Sequence, residues 1–171
     1  MSAHATRATI PPDAARAARQ ACAGVADPEV PVLTIEDLGI LRTVAVDEAG
    51  RVTVSILPTY SGCPAMGAIK LAIEAELARV GFHDVRVRLT NSPAWTTDFM
   101  SEAARGKLRA CGIAPPGPPA GKRTLFEASS VACPRCGSGD SERISEFGST
   151  ACKALWRCRA CREPFEHFKC V

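Results

Sequence analysis

Aromatic side chains are scarce in this chain of 171 residues: phenylalanine, tryptophan and tyrosine together make up 5%. A core must therefore be assembled from Ala, Val, Leu and Ile. Histidine is scarcer, with three in all. His4 lies near the N-terminus, and His83 falls after the far end of the helix expected over residues 66–80. A thiol or serine nucleophile needs a base within hydrogen-bond reach, so this shortage argues against Cys–His chemistry. Long apolar runs are missing too. Nothing approaches the ~20 residues that cross a bilayer, so no membrane association is expected. The sequence contains no GxGxxG, no P-loop and no paired Glu-x-x-His set of the kind that holds two irons in a helix bundle. The opening stretch, MSAHATRATIPPDAARAARQ, has arginines but no apolar segment. A secretory signal is not expected there. Residues 1–11 read as a flexible tail leading into a helix, and a cytoplasmic location is expected.

Cysteine is what the chain has in quantity, nine in all. An exported chain would use them in disulfides. With nothing marking export, thiolates that hold metal in a reducing compartment are the better expectation. Charge is distributed unevenly. Residues 1–121 carry 12 Lys+Arg against 12 Asp+Glu, and residues 122–171 carry nine against six. The whole formal excess of +3 thus sits in the C-terminal part, too small by itself to imply nucleic acid.

The clearest boundary is GIAPPGPPAGKR, Gly112 to Arg123, with four prolines and three glycines in twelve residues. Such a stretch sustains neither helix nor sheet ladder. It divides the chain into a domain over residues 12–114, a semi-rigid linker over 115–124 and a second domain over 125–171. In the first domain, Asp13 to Gly24 has a helix start and stop. DPEVPV (Asp27 to Val32) reads as a turn. LRTVAV and RVTVSIL are strands joined by the hairpin loop Asp47–Gly50. Met66, Ile69, Ile73, Leu77 and Val80 form one helical stripe ended by Gly81. Val85, Val87 and Leu89 alternate on a third strand, and a last helix runs from about Thr97 to Ala110. The order α-β-β-α-β-α predicts an α+β fold, with helices packed on a short mixed sheet.

After the linker, Cys133 and Cys136 form one C-x-x-C knuckle, Cys158 and Cys161 another, with 21 residues between. Two such turns supply four thiolates to a tetrahedral site with Zn–S near ~2.3 Å. The intervening segment is long enough for a β-hairpin, so the unit reads as a zinc ribbon stapled by structural Zn2+. An iron–sulfur centre on the same four cysteines stays open as the alternative. Cys152 has two readings: a small residue facing the ribbon core, or an accessory thiol for a second metal. Cys170 reads as incidental, and His167 as a surface histidine.

The isolated thiol is Cys63, in TYSGCPAMGAIK. Gly62 permits unusual dihedrals and Pro64 suits the first helical position, which places Cys63 at the N-cap. There the helix dipole would favour the thiolate, the form that binds metal. A small buried residue at a tight strand-to-helix junction is the competing reading. Cys22 and Cys111, among alanines, read as packing. Asp27 and Glu29 are either acidic partners of a metal or turn formers, and spacing alone favours the turn.

DPEVPVLTIEDLGILRTVAV, VTVSILPTYSGCPAM and SPAWTTDFMSEAARGKLRACGI together resemble the SufT-like domain of iron–sulfur assembly proteins. With CPRCGS, FGSTACKALWRC and CREPFEHFKC added, the whole chain resembles the PaaD (also PaaJ) family. These are small accessory components of the phenylacetyl-CoA ring-epoxidising oxygenase system of aerobic phenylacetate degradation. The resemblance implies a non-catalytic maturation factor that assists iron–sulfur or di-iron assembly in a client. The clients implied are the iron–sulfur flavin reductase and the di-iron catalytic subunit. It assigns a transient iron or iron–sulfur cargo to Cys63, with Asp27, Glu29, Thr59 and Cys152 in support. The cargo would be shared with a second chain of a homodimer or with another domain. Two alternatives remain: a stoichiometric structural subunit of the oxygenase, and nucleic-acid binding by Trp156, Arg157, Arg159 and Arg162.

Overall fold

The computed structural model of the protein describes residues 13–117 and 130–169. The expected tail, the linker residues 118–124 and Cys170 lie outside them. Helix α1 (Ala14–Ala23) starts at Asp13 and stops at Gly24. Its buried residues, Ala14, Ala18 and Cys22, recur every fourth position, so one narrow stripe meets the core. Cys22 is packing, as expected. Strands β1 (Leu41–Val46) and β2 (Val52–Ile56) form the antiparallel hairpin. Asp47 Oδ1 closes its loop by accepting from the Ala49 and Arg51 N–H groups, each at 2.9 Å. Strand β3 (Val85–Leu89) runs parallel to β2. Parallel neighbours need a crossover, and α2 (Ala65–Arg79) supplies it.

The alternation in β2 is realised fully, with Val52, Val54 and Ile56 buried. So is most of the α2 stripe, with Met66, Ile69, Ile73 and Leu77 inside. Two positions differ from expectation. Val80 is the C-cap and 41% exposed, because the helix ends before its side chain can turn inward. Leu89, the last residue of the edge strand β3, is 60% exposed. After β3 come a short 3-10 turn (Thr97–Phe99) and α3 (Glu102–Ala110). Cys111, at the end of α3, is exposed rather than packed. The expected α-β-β-α-β-α order and α+β class are the observed ones.

The segment between α1 and β1 is far more than a turn. Val30, Leu33, Ile35, Leu38 and Ile40 are all buried. A buried irregular segment must satisfy its backbone internally. Here Asp27 N–H donates to the Leu33 carbonyl and Ile35 N–H to the Val25 carbonyl, both at 2.9 Å. Gly39 makes the final bend with φ of +67°, and a Cβ there would lie 2.5 Å from Phe99 Cβ. Gly81 has φ of +95° but open space around it. Gly39→Ala is therefore expected to cost more than the ~1–2 kcal/mol of a left-handed backbone alone. Gly81→Ala should cost only that backbone term, and urea denaturation of the two variants compares them.

The C-terminal half is a second sheet. Strands β5 (Ser141–Ser145), β6 (Lys153–Cys158) and β7 (Pro164–Phe168) are antiparallel neighbours. Strand β4 (Ile113–Ala114) adds to it, parallel to β7. The start of the Pro/Gly-rich stretch is thus a docked strand. The buried guanidinium of Arg105 secures the chain just beyond β4, donating to the carbonyls of Pro116 (2.6 Å) and Thr97 (2.8 Å). The two halves also share apolar packing. Phe168 and Cys152 belong to the same buried cluster as the first core. Trp95 meets Phe168 edge-on at 6.2 Å, while its indole N–H donates to the Leu38 carbonyl at 2.8 Å. No helix among the described residues is long and apolar enough to cross a membrane.

Candidate functional site

The four ribbon cysteines converge. Cys133, Cys136, Cys158 and Cys161 have sulfurs that all lie within 4.8 Å of one another. Cys133 and Cys161 are 3.8 Å apart and Cys136 and Cys158 3.5 Å. A tetrahedron with Zn–S of ~2.3 Å has an edge of ~3.8 Å, close to the two shortest separations, so the donor set suits Zn2+. The Cys161 N–H points at Cys158 Sγ (3.5 Å) and pulls that thiol down to about 7. Among the described residues this is the one group of three or more Cys, His or carboxylate side chains that closes in this way.

His167 is not the surface residue expected. It is half-buried on β7, edge-on to Trp156 at 6.0 Å. Burial, then the Lys169 charge, push it down to about 4. Two of the four groups invoked for nucleic-acid binding are engaged: Arg157 and Arg159 both pair with Glu142.

Cys63 sits one residue earlier than expected. Pro64 is the N-cap, and helix α2 begins at Ala65. Its thiol is nearly buried, and burial, the largest effect, raises its pKa. The Ala65 N–H and a hydrogen bond with Tyr60 pull the other way, while the Glu29 and Asp27 charges add to the rise. The helix start therefore does not leave a free thiolate. Desolvation outweighs the N-terminal field.

Around Cys63 the chain gathers polar groups from both halves. Asp27 is buried, with Oδ1 accepting from the N–H groups of Glu29 (2.8 Å) and Val30 (2.9 Å). It is thus a turn former and part of the cluster at once. Burial holds its carboxyl above the usual range, only partly offset by those N–H groups. Glu29 is held out of that turn toward the ribbon. Cys152 Sγ donates to Glu29 Oε2 at 3.5 Å and lies 3.1 Å from Thr150 Oγ1. Burial pushes the Cys152 thiol up to about 11, and Glu29 adds to the rise. Glu29 acts electrically on both thiols, so Cys63, Cys152, Asp27 and Glu29 form one neighbourhood. Thr59 is buried and lines a cavity of about 180 Å³ with Tyr60, Asn91, Ala94 and Trp95.

Known proteins match both halves. Residues 15–89 fit the family model of an iron–sulfur cluster assembly protein, and residues 117–169 that of the PaaD zinc beta ribbon domain. Over 147 residues the chain is 50% identical to an Escherichia coli (strain K12) protein named as a subunit of 1,2-phenylacetyl-CoA epoxidase, covering 86% of this chain and 87% of that one. The chain belongs to the PaaD family. It is also 40% identical over 85 residues to an Fe-S protein maturation auxiliary factor of Porphyromonas gingivalis, covering 49% of this chain and 80% of that protein. The crystal structure of a domain of unknown function, DUF59, from Bacillus anthracis matches with a TM-score of 0.52 and 25% identity, over 56% of this chain and 91% of that one.

Two residues of this PaaD-family neighbourhood escape sequence reasoning. Tyr60, the only tyrosine in the chain, interacts with Cys63. Burial, then the Cys63 and Glu29 charges, raise its phenol to about 12. Its place beside Cys63 in TYSGC was the available signal. Lys153 is buried next to Cys152 and donates to the Glu29 carbonyl at 3.4 Å. Nothing in the sequence announces a buried lysine.

Proposed function

We propose that the chain is a maturation factor for the phenylacetyl-CoA ring-epoxidising oxygenase system. It helps to place iron or an iron–sulfur cluster in a client, the iron–sulfur flavin reductase or the di-iron subunit, and does not itself catalyse epoxidation. One observation carries this reading: ribbon Cys152 lies against Glu29 of the first domain, in the neighbourhood of Cys63 and Asp27. Sulfur and carboxylate together suit iron. These donors do not close to chelating distance as the ribbon cysteines do, and an open, incomplete set suits a cargo that must be released. Cys63 and Cys152 are the cargo thiols and Glu29 the carboxylate between them. Asp27 shapes the turn that presents Glu29, and Thr59 supports the strand end leading to Cys63. Zinc in the ribbon is structural, and its task is to hold Cys152 in place.

The test is metal and acid-labile sulfide analysis of protein purified anaerobically from cells expressing the oxygenase components. One zinc and a substoichiometric amount of iron per chain are expected. Zinc alone, even after incubation with ferrous iron and sulfide, would count against a carrier.

A second reading, a stoichiometric structural subunit, draws on the name of the Escherichia coli relative and on Ile144 and Phe147, which are exposed on the ribbon. Copurification at fixed stoichiometry with oxygenase activity indifferent to Cys63→Ser would favour it.

A further inference from the structure

Lys153 is 5% exposed, an unusual position for an ammonium. Burying it costs several kcal/mol unless its partners are well placed. A core that needed only packing would be served by methionine or leucine. The partners here come from both halves of the molecule. Nζ donates to the Glu29 carbonyl (3.4 Å) and pairs with Glu166 Oε2 (3.1 Å). Glu166 Oε1 accepts from the Ser149 N–H at 2.6 Å. The Lys153 backbone closes the same turn, its carbonyl accepting from Gly148 N–H (2.7 Å) and its N–H donating to the Thr150 carbonyl (3.1 Å). The turn that presents Thr150 and Cys152 is therefore wrapped around the Lys153–Glu166 pair. A Cβ on Gly148 would lie 2.6 Å from Glu166 Oε1, which shows how closely the turn fits.

We propose that Lys153 is a positioning residue of the thiol site: its ammonium clamps the Glu29 carbonyl to the Glu166 carboxylate and so fixes the Cys152 thiol against Glu29. The inference rests on the carrier reading and adds to it a defined device that couples ribbon docking to the geometry of the donors. Lys153 needs no contact with the cargo. It acts through Glu29 and Cys152, as outer residues act on metal ligands elsewhere.

The test uses the full chain, with zinc kept in the ribbon, titrated anaerobically with Co2+. Wild-type protein should develop thiolate-to-cobalt absorption that Cys63→Ser weakens and Cys63→Ser/Cys152→Ser loses. Lys153→Met should retain one zinc per chain, need about tenfold more Co2+ and show a weaker charge-transfer band. Lys153→Met leaves Glu166 without its cation, so the double variant Lys153→Met/Glu166→Gln guards against misfolding by removing both charges. It should show the same loss of Co2+ affinity. A folded, zinc-replete double variant with wild-type affinity and absorption overturns the positioning role and leaves the carrier reading standing. Wild-type protein that develops no thiolate-to-cobalt band overturns both.

Discussion

Cys63→Ser, expressed with the oxygenase components, is expected to lower the iron content of the client by about tenfold or more, with one zinc per chain still in the ribbon. Serine fits the small, nearly buried space that Cys63 occupies and can keep hydrogen bonds to the Ala65 N–H and to Tyr60. What the substitution removes is the sulfur, the soft donor that iron–sulfur chemistry requires. Cys22→Ala is the matching control. That thiol is also buried, raised to about 11 by desolvation, but it packs within α1 among apolar neighbours. It should leave client iron unchanged. Elemental analysis of the purified reductase and di-iron subunit decides the matter, and full metallation of both in the Cys63→Ser background would sink the carrier reading.

Cys158→Ser is expected to be the most damaging single change. Cys158 is fully buried, at the end of β6, with its sulfur 3.5 Å from Cys136. Structural zinc contributes apparent free energies of about 10–16 kcal/mol in small zinc domains, as much as the ~5–15 kcal/mol that separates most folded domains from their unfolded chains. Zinc content should fall from one per chain to none. The damage should also cross to the first domain, because Phe168 packs on Trp95 and Cys152 on Glu29. Client iron should therefore fall although Cys63 is intact. Cys152, buried in the wild type and expected to resist alkylation there, should become reactive, and a strong chelator should reproduce the effect. A zinc-free variant with Cys152 still protected would refute the coupling.

What could be read from the sequence followed regular periodicity. The alternation of Val52, Val54 and Ile56 and the stripe from Met66 to Leu77 need only the right period and a covering partner, and both have one. Val80 and Leu89 continued the same patterns but lie at element ends, where no partner remains to cover them. The residues 25–40 hid a large part of the core. They have no period, and their burial depends on cross-segment hydrogen bonds such as Asp27 to Leu33. The four ribbon cysteines declared themselves through spacing, because chelation fixes spacing. Cys63 was legible as a position but not as an environment. Its resting protonation follows from burial and from Glu29 and Asp27, which chain folding brings to it. Lys153 and the Glu29–Cys152 contact link positions 123 or more residues apart, and no local pattern encodes them.

Strand β4 gives the ribbon a further consequence. Only two residues long, it stitches the end of the first domain into the second sheet. The ribbon is in effect a partner protein that shares one chain with the first domain. A thiol supplied by a separate chain would reach Glu29 only as often as concentration and affinity allow. A tethered one meets it at an effective concentration of roughly millimolar for a short connection, and dilution does not change that. The Cys152–Glu29 pairing, made within one chain, should therefore not depend on the cellular abundance of the chain.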